Sequence, residues 1–450
     1  MVRLSVPDDF FSFQKGNQWE YTKFARLPEF RYNENWEEFR PTVKVLLVNK
    51  FFYLKGGPER HIFKISKILE TKGHQVIPFS MKDERNEPTP FEKYFVSKVD
   101  FNSPMSLGDK LRMVPRVVYF LEAKRKIEAL IKEARPDIAH LHNIAHQISP
   151  SVLHSLKKFD LPVIQTLHDY KLICPTYNMV ARGRICERCK GHQYYEAVLQ
   201  RCNKGSFSFS LLNCAEMYIH KFLRIYERNV DFFIAPSNFL RHKIIEFGIN
   251  GGKIFHVPNF VDCREYSPHF DGDNYFVYFG RVSREKGLLT LIRTVRDIKT
   301  SRLVIVGEGE LRNRLEEYVS EKGIANIEFS GYLGEERLKS VIRNSMFAVV
   351  PSEWYENCPY SVLEAFALGK PVIGSDIGGI PELIDDGING LLFETGNSQE
   401  LSEKIAYLTS RPRLREQMGR NARKKVEEEY NPELYYERLM EIYQRSMRRG

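Results

Sequence analysis

The chain has 450 residues, a formal net charge of +9 and 42% hydrophobic residues. This length exceeds what one hydrophobic core usually supports, so two domains are expected. No apolar run is long enough to span a bilayer, and the first residues lack the apolar core of a signal peptide. We therefore predict a cytoplasmic protein, and its positive charge favours anionic partners.

Apolar runs and helix-like segments alternate from residue 43 onward, after an aromatic and charged stretch without a clean period. Residues 1–40 are therefore predicted to form an irregular N-terminal extension. Repeated strand–helix units predict parallel sheets covered by helices, so we expect an α/β fold with two Rossmann-like domains facing across a cleft. These domains are residues 41–265 and 266–430, and a last helix falls within 431–450. Strands are expected at residues 43–48, 74–79, 137–141, 163–167, 232–236 and 254–258, and then at 275–280, 302–307, 327–330, 347–350, 371–374 and 390–393.

Two glutamates flank the start of a short helix after the strand at 347–350. Glu356 and Glu364 lie at a loop-to-helix junction, where free backbone N–H groups favour a diphosphate and carboxylates can hold sugar hydroxyls. The alternative is structural, because Ser361 and Glu364 have the spacing of a capping box. The pattern is typical of a nucleotide-sugar site, provided that other segments agree.

Glycines and cations follow the first strand of each series. Gly56 and Gly57 precede Pro58, where a phosphate can approach the backbone closely, although a plain tight turn has the same residues. Arg281 and Lys286 follow the strand at 275–280, and two fixed cations there could neutralise a departing diphosphate in place of a divalent metal. A solvated charged loop is the alternative. Gly307 and Gly309 resemble a dinucleotide turn, but Arg312 replaces its third glycine, which disfavours a nicotinamide site.

His168 follows the strand at 163–167 and would face the cleft, where it could hydrogen-bond a bound sugar or simply be a structural histidine. A cysteine-rich loop begins just after it. Cys174, Cys186, Cys189 and Cys202 fit a closed, structural four-thiolate zinc site, and an iron–sulfur cluster has the same ligands. A structural zinc is the favoured interpretation. The spacing to Cys174 and Cys202 is not that of a standard zinc ribbon, so a loop without a metal is the alternative.

A basic helix is predicted over residues 115–134, with Val117, Leu121, Ile127 and Ile131 along one side. Such a stripe is usually a core face. A docking surface for anionic membrane lipid is the alternative.

Taken together, these segments resemble glycosyltransferase family 4, the retaining glycosyltransferases with the GT-B fold. The resemblance extends from Val43 to about Met447. It rests on ordered motifs, namely Gly56-Gly57-Pro58-Glu59-Arg60, His168, Ala235-Pro-Ser237-x-Phe239, Val257-Pro-Asn259-x-Val261-Asp262, Gly280-Arg281-x4-Lys286-Gly287, Gly307-x-Gly309, Glu356-x7-Glu364 and Gly378-Gly379-Ile-Pro-Glu382. Pro359 and Phe260 depart from the family, since each replaces a usual glycine.

The resemblance implies a role for each site residue. Glu364 would bind the ribose and Glu356 a hydroxyl of the donor sugar. Arg281 and Lys286 would hold the diphosphate with Gly57 and the amides of Ser361 and Val362, and His168 would touch the sugar near the reacting carbon. Gly56, Asn259 and Gly309 would complete the donor pocket. The last helix would cross back onto the first domain.

The implied reaction transfers a sugar from a UDP or GDP type of nucleotide sugar, with retention and without a metal at the reaction centre. The expected acceptor is a glycan or lipid-linked saccharide in surface polysaccharide or glycolipid synthesis, at the inner face of the cell membrane, with no nucleic acid as a partner. A GT-B nucleotide-sugar epimerase and an inactive glycan-assembly protein are the alternatives.

Overall fold

The computed structural model describes residues 42–99, 116–298 and 300–448. The predicted extension over residues 1–40 and the predicted helix start at residue 115 lie outside these ranges. Within them, no helix has both the length and the apolar composition needed to cross a bilayer.

The first sheet has six parallel strands in the order β2-β1-β3-β4-β7-β8. Its apolar runs are buried on both faces, as parallel strands between helices require. All six predicted strands are confirmed. Their bounds are β1 Lys44–Val48, β2 Gln75–Phe79, β3 Ile138–Leu141, β4 Val163–Thr166, β7 Phe232–Ala235 and β8 Ile254–His256, and a small hairpin of β5 Val180–Ala181 and β6 Arg184–Ile185 lies between β4 and β7.

Helices connect these strands and cover the sheet. The glycine turn after β1 leads directly into α1, whose first turn contains Pro58. Since Pro lacks an N–H, it costs no hydrogen bond at this position. The helices are α1 Gly57–Thr71, α2 Leu121–Ala134, α3 Ser151–Lys158, α4 Glu196–Leu199, α5 Phe207–Phe222, α6 Ile225–Asn229 and α7 Asn238–Glu246.

The stripe of α2 proves to be a core face. Ile127 and Ile131 are buried in the first core. Val117, before the helix, is buried as well, whereas Leu121 is exposed. A membrane-facing role for this stripe is therefore wrong, because most of its apolar side chains already contact protein.

The second sheet also has six parallel strands, in the order β11-β10-β9-β12-β13-β14. Its predicted strands are confirmed as β9 Tyr275–Phe279, β10 Arg302–Val306, β11 Ile327–Gly331, β12 Ala348–Val350, β13 Val372–Ser375 and β14 Gly390–Phe393. The helices around it are α8 Leu288–Val295, α9 Arg312–Glu321, α10 Glu335–Asn344, α11 Tyr360–Ala367, α12 Ile380–Leu383, α13 Ser398–Thr409 and α14 Pro412–Glu429. The molecule thus contains two parallel-sheet α/β domains.

The last described helix, α15 (Pro432–Met447), packs against the first sheet. Asn431 caps it by accepting a hydrogen bond from the amide of Leu434. Its buried side chains include Tyr435, Tyr436 and Tyr443, which share a core with β1. The chain therefore contacts the first sheet again after completing the second.

Candidate functional site

Two loops at the carboxyl edge of the second sheet are in close contact. Gly287 has φ +67°, and a Cβ at this position would lie 1.8 Å from the carbonyl oxygen of Pro351. Only glycine tolerates both the backbone conformation and the approach. The contact places the loop after β9 directly against the loop after β12.

Lys286 and Glu356 form an ion pair between these loops, with Nζ 2.5 Å from Oε1; the carboxylate is buried and the lysine side chain is 21% exposed. Ser352 donates a second hydrogen bond to the same carboxylate at 2.7 Å. Although burial opposes ionisation, Lys286 and Ser352 together hold the pKa of Glu356 below its ordinary value. The Lys286 ammonium also lies 5.3 Å from the ring centroid of Trp354. A fixed cation and a fixed carboxylate thus stand side by side at the cleft.

Arg281 occupies a different position from Lys286. Its side chain is 61% exposed and donates to Glu285 at 2.6 Å. The loop therefore supplies one cation anchored against Glu356 and one at its solvent-facing side.

Glu364 is held from the opposite domain. Arg60 on α1 forms an ion pair with its Oε1, and the Tyr266 hydroxyl lies 3.4 Å from the same oxygen. Burial lowers the pKa of nearby Lys64, whose ammonium lies 4.6 Å from the Tyr360 ring centroid.

α11 has no side-chain cap, so the capping-box alternative for Glu364 is wrong. Arg60 belongs to a motif identified in the sequence, but no role was predicted for it, and Lys64 was not predicted as a site residue.

The remaining donor-pocket candidates lie on several elements of the two domains. Gly56 and Gly57 begin α1, on the same turn as Arg60. A Cβ on Gly309 would lie 2.1 Å from the carbonyl oxygen of Val282, so the loop after β10 packs against the loop that contains Lys286. Ser361 and Val362 occupy the first turn of α11, where the Val362 amide donates to the Pro359 carbonyl at 3.1 Å. Asn259 donates to the Cys358 carbonyl at 2.7 Å and so joins the two domains.

The half-buried His168 lies against three buried histidines that the sequence did not predict to be there. Its Nε2 lies 2.9 Å from Nδ1 of His142, and the rings stack with centroids 5.2 Å apart. The His61 ring is 5.3 Å from that of His168, and the His140 ring is 4.4 Å from that of His142. Burial, reinforced by Lys50, lowers the pKa of His168 to about 3. The imidazole is therefore neutral at ordinary pH.

A cross-domain hydrogen bond fixes His168 opposite Glu356. Asn357 Nδ2 donates to the His168 carbonyl at 2.8 Å. Because Asn357 follows Glu356 directly, this bond brings the end of β4 to the loop that holds the Lys286–Glu356 pair. The bond thus brings the backbone at His168 beside the loop that carries Glu356.

The four clustered cysteines line one small cavity in the first domain. Its wall also includes Thr176, Met179 and Phe247. Burial, with the other three thiols adding, raises the pKa of Cys189 above its usual range. Among the described residues, no three His, Cys, Asp or Glu side chains are arranged so that they could hold a metal ion. The cysteines converge, but the metal stays a prediction.

The cysteine-rich segment contacts the donor-side loops. Glu187 accepts a hydrogen bond from the Tyr355 hydroxyl at 2.7 Å and pairs with Lys243 at 2.8 Å. A Cβ on Gly183 would lie 2.2 Å from the guanidinium of Arg284. The segment therefore contacts residues adjacent to Glu356 and within the Lys286 loop.

Family models match both halves of the chain. Residues 55–265 match the model described as Glycosyltransferase Family 4, and residues 262–425 match that of Glycosyl transferases group 1. The chain is a glycosyltransferase of the family 4 type. Its two facing α/β domains have the GT-B fold that the resemblance implied.

Relatives and solved structures agree with this assignment. An uncharacterized glycosyltransferase of Methanocaldococcus jannaschii is 24% identical over 85% of this chain and 92% of its own. A capsular polysaccharide biosynthesis glycosyltransferase of Staphylococcus aureus is 27% identical over 58% of this chain and 68% of its own. The Anabaena protein HepE, solved in complex with UDP-glucose, superimposes with a TM-score of 0.63 at 17% identity, covering 89% of this chain and 99% of its own. The last comparison shows the shared fold.

Proposed function

We propose that this glycosyltransferase moves a hexosyl group from a nucleotide-diphosphate sugar to a hydroxyl acceptor, with retention at the anomeric carbon. The second domain (266–430) binds the donor, and the first (41–265) presents the acceptor. The observation that carries this proposal is the Lys286–Glu356 pair with its buried carboxylate, beside the bond from Asn357 to the His168 carbonyl.

Each part of the site has a role suited to its chemistry. An ammonium has three donors, so Lys286 can bind a diphosphate oxygen while it remains bonded to Glu356. Arg281 adds a second cation from the exposed side of the loop and has the reach to close over the same group. Glu356 accepts from a sugar hydroxyl, and neutral His168 hydrogen-bonds the sugar near the breaking bond. Catalysis then comes from positioning and from stabilising the leaving diphosphate, with these cations in the place of a metal.

The donor base is uridine in this proposal, supported by the complex of HepE with UDP-glucose. Glu364 binds the ribose hydroxyls, and Arg60 orients its carboxylate. The acceptor is a glycan or a lipid-linked saccharide, supported by the capsular polysaccharide relative. The protein then works in the cytoplasm at the inner face of the cell membrane.

Thermal shift with UDP, GDP, ADP and their sugars tests the donor. A ligand at about 100 times its Kd stabilises the folded state by about 2.7 kcal/mol, which is readily seen. We expect a shift with UDP that is lost in Glu364→Ala and kept in Glu336→Ala, which removes an exposed carboxylate on α10. A shift with no nucleotide would contradict the proposal.

Proton NMR of the product tests retention. The anomeric configuration of the transferred sugar should match that of the donor, and turnover should persist in EDTA. An inverted product would contradict a retaining mechanism, and an epimerised nucleotide sugar without transfer would favour the epimerase alternative.

We further propose a structural zinc on Cys174, Cys186, Cys189 and Cys202, supported by the convergence of all four on one cavity. To bind zinc, the four thiols must move closer together than they are in the structure. Elemental analysis should find about one zinc per chain, lost in Cys189→Ser and kept in Cys214→Ser, which removes a buried cysteine outside that cavity. Metal-free protein, or bound iron with visible absorption, would contradict zinc.

A further inference from the structure

Helix α5 is amphipathic, but its polar side faces inward. Ser210, Asn213, Glu216 and His220 are buried. Cys214 and Met217 are buried beside them. Six other large apolar side chains are exposed: Phe222 is 87% exposed and Phe207 56%, together with Leu211, Tyr218, Ile219 and, just beyond the helix, Leu223. We call these six residues the α5 face. A soluble protein usually buries such a stripe and exposes the polar one.

Polar contacts fix this orientation. Glu216 is fully buried, and its carboxylate accepts from Lys171 at 2.8 Å and lies 3.1 Å from Nε2 of His146. Asn213 donates to the Pro175 carbonyl at 3.1 Å. Rotating the helix to bury its apolar side would leave these groups unpaired, at a large cost in free energy. The α5 face is therefore held outward.

The charges around the α5 face are predominantly positive. Between residues 200 and 229 the basic side chains are Arg201, Lys204, Lys221, Arg224 and Arg228, against two acidic ones. Of the acidic pair, Glu216 is buried, and Glu227 is bonded to Lys221 at 2.8 Å. Arg201, Lys204, Arg224 and Arg228 are exposed. An apolar stripe with a basic rim is the pattern of a helix that lies in the headgroup region of an anionic bilayer.

We propose that the α5 face docks this protein on an anionic lipid bilayer. The same helix is bonded to Lys171, three residues after His168. Docking thereby holds the acceptor side of the cleft near the lipid surface, where a lipid-linked saccharide lies. This inference rests on the proposed function for its biological purpose, but the docking itself does not require catalysis.

Vesicle co-sedimentation of the full-length chain tests the surface. The wild type should bind vesicles of 70% phosphatidylcholine and 30% phosphatidylglycerol at least about tenfold more tightly than pure phosphatidylcholine, and more weakly as salt rises. Phe222→Ser and Leu211→Ser should each weaken binding on the order of tenfold, since each removes a large apolar side chain from the bilayer. Ile388→Ser, which removes an exposed apolar side chain in the second domain, should bind as the wild type does.

A depth readout distinguishes insertion from charge attraction alone. A Phe222→Trp variant should gain blue-shifted fluorescence on anionic vesicles, relative to the wild-type background. Unchanged binding in the α5 variants would overturn the proposal. So would a dimer that Phe222→Ser converts to a monomer, because a second copy would then cover the face.

Donor turnover is measured separately, with a soluble acceptor and no vesicles. Turnover by a protein that does not bind vesicles would contradict the docking proposal and leave the proposed function unaffected. If vesicle binding depends on the α5 face but no turnover is found, the docking proposal is supported and the proposed function is contradicted.

Discussion

Arg60 and Glu364 join the two sheets through one ion pair between α1 and α11. The carboxylate side chain is 5% exposed and the guanidinium side chain 37% exposed. The buried partner is thus the acidic one, and it lies on the helix that follows the Glu356 loop. Because α1 begins at the glycine turn after β1, the first domain directly positions a predicted donor-binding carboxylate of the second.

This pair should show strong coupling in stability. In a double-mutant cycle of Arg60→Met and Glu364→Gln, we expect a coupling of about 1–3 kcal/mol from chemical denaturation, because Arg60→Met leaves a buried carboxylate unpaired. The exposed pair Lys67–Glu265 provides the control and should couple by less than about 1 kcal/mol. Equal couplings for the two pairs would contradict the special position of Arg60. Glu364→Gln should also raise the KM for the donor.

The Lys286–Glu356 pair should govern both activity and acid stability. Lys286→Met leaves a buried carboxylate unpaired and should lower the free energy of unfolding by about 3–5 kcal/mol at pH 7. The wild-type carboxyl has a lowered pKa, so its stabilisation is present above its unfolded pKa and is lost as pH falls through the folded one.

In Lys286→Met, burial should instead raise the pKa of Glu356, so protonation relieves the defect. Unfolding measured at pH 7 and pH 5 should show a smaller deficit at pH 5. The double variant Lys286→Met/Glu356→Gln should be more stable than Lys286→Met alone at pH 7. Lys286→Met and Glu356→Gln, each made alone, should lose on the order of 100-fold in kcat.

His168 should not produce an ionisation in the pH–rate profile between pH 5 and 8. Burial lowers its pKa to about 3, so the unfolded chain takes up a proton below about pH 6.5 that the folded chain excludes. This residue therefore costs stability as pH falls from about 6.5, by about 1.4 kcal/mol per pH unit. His168→Gln should gain about 2 kcal/mol relative to the wild type between pH 7 and 5, while losing activity at both. His269→Gln, at an exposed position, should show no such gain.

Gly287→Ala should disturb the contact between the two donor-side loops. The added Cβ would lie 1.8 Å from the Pro351 carbonyl oxygen, at a φ of +67°. Gly323→Ala provides a matched control, because Gly323 has φ +60° and no atom lies within 4 Å of the added carbon. We expect both to lose about 1 kcal/mol from backbone strain and Gly287→Ala to lose several more. Comparable melting temperatures would mean that the loops separate easily.

Most strands were predictable because they are short apolar runs buried on both faces of a parallel sheet, although β11 contains the exposed Glu328. Lys286 and Glu356 were predictable because both follow strands whose carboxyl ends share one edge. The histidine group was not, since His61 lies on α1, His140 and His142 at the end of β3, and His168 after β4. These residues meet only when β1, β3 and β4 are placed side by side. The Arg60–Glu364 pair likewise depends on how the two domains face each other.

Helix α5 shows where periodicity alone misleads. Its sequence has a clear apolar stripe, and the usual rule would place that stripe in the core. The buried ion pair of Glu216 with Lys171 decides the opposite orientation. No sequence pattern reveals a partner 45 residues away, so this orientation required the structure.

Helix α15 packs on the first sheet and so contacts the histidine group next to the candidate site. Its tyrosine hydroxyls hydrogen-bond with the histidines beneath the candidate site: Tyr435 with His61 at 3.1 Å, and Tyr443 with His140 at 2.8 Å. The hydrogen bond to each hydroxyl influences which nitrogen of that imidazole is protonated. The histidine rings contact one another, so a change at one ring affects its neighbours. A truncation or fusion that unwinds α15 would remove these hydrogen bonds. It would thus change the protonation of the ring nitrogens in the histidine group next to the candidate site.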